Sequence, residues 1–152
     1  MSGPVLESIA LVESAIQRAD IVPDESLQTG VDIGTVRGAV RPAGEGRTAV
    51  RVKLTFTVRQ ASGQVVCSIA NTFLLVYRGE APVAPVERRA LWVTRGWADA
   101  WPTWRAWLHT ALASMDMAPS TLPPVPPAEV VAMGDALLAR EADSDVEVTG
   151  VD

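Results

Sequence analysis

Hydrophobic and polar residues alternate most regularly between Thr48 and Arg59, where Val50, Val52, Leu54, Phe56 and Val58 interleave with Arg51, Lys53, Thr55, Thr57 and Arg59. A period of two sends successive side chains to opposite faces, so this segment is expected to be a strand with one buried face and one wet, cationic face. Gln60-Ala61-Ser62-Gly63 is a short glycine-containing connection and predicts a hairpin into a second strand, Gln64 to Tyr77. Toward its end (Phe73, Leu74, Leu75, Val76) that strand is apolar on both faces and needs cover on both sides, from helices of the chain or from another subunit. Upstream, Val31 to Val40 is β-branched and punctuated by glycine, a further strand, and Pro42-Ala43-Gly44-Glu45-Gly46 is a turn. Residues 1 to 24 read two ways. Val5, Ile9, Val12 and Ile16 share a helical stripe, while Leu11, Ala15 and the β-branched residues also permit a strand. The Pro23-Asp24-Glu25-Ser26 cluster ends this element.

After Gly79 the pattern changes. Ala81 to Val86 is a proline-containing linker, and from Glu87 the periodicity is helical. All five tryptophans, Trp92, Trp97, Trp101, Trp104 and Trp107, fall within sixteen residues. Trp97, Trp101, Trp104 and Leu108 repeat at i, i+4, i+7 and i+11, and Leu112 and Met115 continue the stripe. Pro102 is expected in the first turn of this helix, where its missing N–H costs nothing. Met117 to Pro127 carries five prolines and reads as an extended connector. Ala128 to Arg140 reads as a second helix, apolar at Val130, Val131, Met133, Leu137 and Leu138. Strands first and helices afterwards predict an α+β fold on an antiparallel sheet. Residues 1–140 form one expected domain and 141–152 an acidic, disordered tail.

Composition narrows the function. The chain has 152 residues, 48% hydrophobic and 20% charged, enough for one domain with a core. The net charge of −5 resides in the tail, where Glu141, Asp143, Asp145, Glu147 and Asp152 stand without a base. The remainder balances 13 acids against 13 bases, a poor match for nucleic acid, which demands a local excess of cations. A single cysteine, Cys67, and a single histidine, His109, leave no disulfide and no Cys/His metal cage. His109 lies one step off the helical stripe with no motif around it, and Cys67 reads as a small buried hydrophobe. Gly44-Glu45-Gly46 lacks the Lys-Ser/Thr pair of a phosphate loop, and the Asp20, Asp24 and Glu25 carboxylates gather at a solvated turn. The expectation is a protein that is not an enzyme and uses no cofactor or metal. With no basic-then-apolar leader and no run of 18 apolar residues, it is expected in the cytoplasm with no membrane span.

The tryptophans then weigh most. One helix buries about 100° to 140° of its circumference, and Trp107 extends the aromatic surface beyond the main stripe. Some of these rings belong to the core. The surplus implies a subunit interface or a surface that meets apolar ligands. Phe73, Leu75, Leu91, Trp92, Trp97, Trp101, Trp104 and Trp107 are the candidates for that apolar surface.

Trp101-Pro102-Thr103-Trp104-Arg105-Ala106-Trp107-Leu108 resembles the helix opening of the SecB family of export chaperones, an aromatic-Pro-Tyr-x-Arg-Glu pattern. Downstream, Leu122-Pro123-Pro124-Val125 is similar to that family's Leu-x-Pro-Val signature. Pro102, Arg105, Leu122, Pro124 and Val125 are the matching positions, inside a likeness that spans residues 10 to 140. The resemblance implies a four-stranded antiparallel sheet with two C-terminal helices packed on one face, assembled as a dimer of dimers. It implies an ATP-independent holdase whose apolar grooves bind unfolded client proteins. Some members of the wider family guard an antitoxin in a toxin–antitoxin system.

This chain departs from the pattern at Thr103, where the family has Tyr, and at Ala106, where it has Glu. The family docks on the translocase motor SecA through carboxylates. Asp20 matches one of these, while the others fall at Ser68 and near Val22, so two of three charges are missing and electrostatic docking on SecA should be weak. Two readings follow. One is a SecB-like holdase, dedicated to an antitoxin or to a few clients; the other is a homo-oligomeric assembly module with one fixed protein partner.

Overall fold

The structure, a computed structural model, describes residues 3–20, 26–34, 36, 39–117, 122, 128, 132–133, 136 and 139. Five strands come first: β1 (Val5–Arg18), β2 (Leu27–Gly34), β3 (Val40–Pro42), β4 (Arg47–Gln60) and β5 (Val65–Arg78). A continuous helical run follows. It consists of α1 (Pro85–Ala90), a π-helical segment (Leu91–Gly96) and α2 (Trp97–Ser114). All pairings are antiparallel, in the order β1-β5-β4-β2, with β3 also on β4. The sheet is thus four positions wide, as expected, and built from five strands. β2 pairs with Lys53 to Gln60 and β3 with Thr48 to Val50, so two strands share the fourth position. The single strand expected from Val31 to Val40 is therefore divided.

The ambiguous first segment is a strand, and its bulges explain the ambiguity. The register of β1 on β5 slips at Glu7 and again at Val12. Each bulge adds a residue without crossing the sheet, so the residues facing the helix are Leu6, Ile9, Leu11, Ser14 and Ile16. Their mean spacing falls between the strand period and the helix period, which is why both templates fit.

Alternation in β4 and β5 has the expected result. Val50, Val52, Leu54, Phe56 and Val58 on β4 and Cys67, Ile69, Phe73, Leu75 and Tyr77 on β5 form one buried face. On the opposite face, Leu74 and Val76 are half-buried beside Arg51 and Ala49, with no second layer over them among the described residues. The helix lies close on the buried face at Gly96, where an added Cβ would stand 3.0 Å from Val52 Cγ1 and 3.1 Å from Val50 Cγ1. From there it crosses the sheet. The Tyr77 hydroxyl donates to Asp99 (2.8 Å), the Trp104 indole to Asn71 Oδ1 (3.1 Å) and the Arg18 guanidinium to the Met115 carbonyl (3.0 Å). Trp101 and Trp104 are wholly enclosed, and at about 25 cal/mol per Å² each indole contributes at most roughly 5 kcal/mol.

One helix expectation needs correction. The helical run starts at Pro85, which holds the first-turn position assigned to Pro102. Pro102 lies inside α2, and the Ala98 carbonyl loses its helical donor there. Both residues are exposed, so water can serve that carbonyl. Of the second expected helix, only Ala128, Ala132, Met133, Ala136 and Ala139 are described, each helical and exposed. The rest of it, the connector apart from Met117 and Leu122, and the acidic tail lie outside the described residues.

Candidate apolar binding surface

Seven of the eight side chains expected to form an apolar surface are core instead. Phe73, Leu75, Leu91, Trp92, Trp97, Trp101 and Trp104 are all buried within the single chain, and Trp107 alone is half-exposed. The expected surplus of indole surface is absent because the helix is not α-helical throughout. Residues five apart in an α-helix point about 140° apart, so Trp92 would miss the stripe that contains Trp97. A π-helical turn carries one extra residue, and residues five apart then align much as α-helical neighbours four apart do. Leu91–Gly96 places Trp92 against Trp97 in this way, ring centroids 5.4 Å apart and edge to face. Trp101 and Trp104 meet in the same manner at 5.3 Å.

The indole N–H groups divide these rings further. Trp104 has its acceptor in Asn71, whose own amide donates to Ser14 Oγ (3.0 Å), a polar thread through the core from α2 to β1. Trp92 and Trp97 are buried with no acceptor for their N–H among the described residues. A buried unpaired donor costs about 1–3 kcal/mol, so this end of the helix is the less well satisfied one.

Open apolar surface lies on the sheet edges. Val5, Leu11, Val12 and Ile16 on β1 are exposed, and so is Leu27 on β2. Leu6 and Ile9 are half-buried beside them. The geometry follows from widths: a helix is about 10 Å across and strands lie about 4.8 Å apart, so one helix covers two strands of a sheet four positions wide. On the inward face of β1, Leu11 and Ile16 are left exposed, while Leu6 and Ile9 pack partly against the core. Sequence reasoning missed this surface because the two bulges hide the strand pattern that would have exposed it.

The motif residues are partly brought together. Arg105 Nε donates to the Leu122 carbonyl at 2.7 Å, so the motif arginine ties the chain beyond α2 back onto that helix, with Leu122 half-buried against the core. Pro124 and Val125 lie outside the described residues. Asp20 is exposed just beyond β1. Ser68 stands in a row with Gln17 and Thr57, so no carboxylate occupies that part of the sheet.

Charged groups serve the fold. Glu7, at the first bulge, accepts from Arg78 (2.7 Å) and Arg47 (2.8 Å), and those hydrogen bonds hold its carboxyl below the usual carboxylate range. Burial, reinforced by Asp99, pushes the Tyr77 hydroxyl far above the ordinary phenol range, and burial also raises the Cys67 thiol. A high thiol pKa leaves Cys67 protonated and unreactive. His109 is exposed. Among the described residues no group of three His, Cys, Asp or Glu side chains could hold a metal, and no helix is long and apolar enough to cross a membrane.

No family model matches the sequence, and no curated protein does. The fold does have a match: a four-position antiparallel sheet with a long helix across one face is the architecture of SecB-like chaperones. One solved structure it resembles is the Mycobacterium tuberculosis Rv1957 SecB-like chaperone in complex with a ChAD peptide from the Rv1956 HigA1 antitoxin. The likeness covers 82% of this chain and 91% of that one, with a TM-score of 0.67 and 16% sequence identity. At that identity the two share a fold.

Proposed function

We propose that this protein is an ATP-independent holdase that binds non-native polypeptide segments, with an antitoxin as a dedicated client. The observation that carries the reading is the fold match to a SecB-like chaperone solved with a bound antitoxin peptide. The chemistry is consistent with it. Holding an unfolded segment needs apolar area and adaptability rather than a catalytic group, and β1 exposes Leu11, Val12 and Ile16 on a strand whose outer edge is unpaired among the described residues. Such an edge also supports a homo-oligomer in which a second copy covers part of β1, as the dimer of dimers requires. The carboxylate-free row Gln17-Ser68-Thr57 favours a dedicated cytoplasmic role over delivery to SecA.

The test is suppression of aggregation of a chemically unfolded protein, without nucleotide, at stoichiometric chaperone. Protection of several unrelated clients is the expected result, and no protection at tenfold excess overturns the reading. One observation favours the alternative, a module with one fixed partner: seven of the eight side chains first assigned to a client surface are core. Binding to a single partner, with no unfolded client held, would establish that alternative.

A further inference from the structure

We propose that the π-helical segment Leu91–Gly96 is a two-register element whose second register brings Trp92 to the surface as an anchor for an extended, non-native polypeptide segment. The ligand in this proposal rests on the holdase reading above; the register change rests on the helix itself.

The present register is held at one end of the segment only. α1 buries no residue, and Val83 and Val86 are 87% and 67% exposed. Ahead of Gly96 the helix is anchored by the buried Leu91 and Trp92 and by Arg95, which lies 5.9 Å from the Tyr77 ring centroid and pairs with Asp99 at 3.4 Å. Against that anchoring stand the less favourable geometry of a π-helical turn and the buried indole donor of Trp92, without an acceptor among the described residues.

The sequence supplies a competing stripe. Val93, Ala90 and Val86 precede Trp97 by four, seven and eleven residues, the same intervals at which Trp101, Trp104 and Leu108 follow it. Continuing α2 backwards as an α-helix would turn the exposed Val86 and Ala90 inward and rotate everything before the extra residue by about 100°. Trp92 would then leave the core, exchanging its place for smaller apolar side chains.

The ligand follows from what an exposed Trp92 presents. An exposed indole presents a large apolar face and one N–H donor. A folded protein has its backbone carbonyls paired, whereas an extended segment offers free carbonyls next to apolar side chains. Such a segment covers the indole face with its apolar side chains and accepts from the N–H in place of water. Because Trp92 is enclosed in the π register, the segment binds the α register alone and draws the helix toward it.

Two changes move the register in opposite directions without altering an indole. Deleting the exposed Thr94 removes the extra residue and sets Trp92 four positions before Trp97 in an unbroken α-helix, locked inward. Ala90→Leu enlarges the competing stripe at a position that is exposed in the present register. Acrylamide quenching of tryptophan emission should rise from the Thr94 deletion to the wild type to Ala90→Leu. Adding Trp92→Phe to Ala90→Leu should abolish that last increase. Affinity for reduced, carboxymethylated α-lactalbumin, followed by fluorescence anisotropy, should rise in the same order, with about tenfold between the extremes, the effect of one indole anchor. Equal quenching in all three proteins overturns the register change. Ordered quenching with equal affinities overturns the anchor role. If the wild type binds no unfolded protein, the holdase reading and the anchor role fall together, while the quenching series still decides whether two registers exist.

Discussion

β5 and β1 are both 14-residue strands, paired antiparallel along their length, yet one is almost entirely enclosed and the other almost entirely bare. On β5 every residue facing the helix from Cys67 to Tyr77 is buried, including Asn71. On β1 the inward-facing Leu11 and Ile16 are 37% and 47% exposed. Apolar character does not separate the two strands. Position beneath the helix does: the helix packs on β4 and β5, and on the edge strand the inward Leu11 and Ile16 have no cover among the described residues. In this fold the centre supplies stability, and the edge is where contact is proposed. Mutations in the two regions should therefore differ in kind.

The largest expected effect is at the centre. Trp104→Ala removes a wholly enclosed indole and orphans Asn71 Oδ1, and should cost about 3–5 kcal/mol of unfolding free energy. Chemical denaturation followed by far-UV circular dichroism measures it. A loss below about 1 kcal/mol, the range of an exposed site, would mean that Trp104 is not core and would dissolve the contrast between centre and edge.

Smaller in energy, and opposite in kind, is Ile16→Lys on β1. Ile16 is already half in water, so its replacement should change monomer stability by no more than about 0.5 kcal/mol. A charge on this face should nevertheless disrupt whatever covers β1, read as a lower oligomeric mass by light scattering, weaker client binding, or both. Stability unchanged, with mass and binding also unchanged, would leave the edge without a contact role.

What the sequence made legible divides along the same line. The hairpin of β4 and β5 was readable because Val50 to Val58 alternate without interruption, and the α2 stripe because Trp97 to Leu112 keep an α-helical spacing. The Arg105–Leu122 tie joins two positions marked by the resemblance. The edge was not readable, since bulges at Glu7 and Val12 shift the alternation twice within 14 residues. Nor was the fate of Trp92. One extra residue in Leu91–Gly96 moves it from outside the stripe into the core, and no local composition announces a π-helical turn. Apolar surface was therefore sought on the aromatic helix, whose rings are core in the present register, while the exposed apolar side chains lie on the bulged strand.

The smallest effect tests how the edge is fastened to the centre. Arg47 and Arg78 face each other across β4 and β5, and the first bulge of β1 sets the Glu7 carboxylate against both. Hydrogen bonds from Arg78 and then Arg47 lower the Glu7 pKa in the folded state, so the unfolded chain binds its proton more readily. The contribution of Glu7 is thus fully present above the ordinary carboxylate pKa of about 4.3 and fades as pH falls through the lowered folded value. Glu7→Gln should melt slightly below the wild type at pH 7, and the two should converge as pH drops toward 2. Added salt at pH 7 should narrow the gap as well, because the pair is open to solvent. A gap that persists undiminished at low pH would assign the effect of Glu7 to the shape of the bulge rather than to its charge, and the fastening of the edge would then be backbone geometry alone.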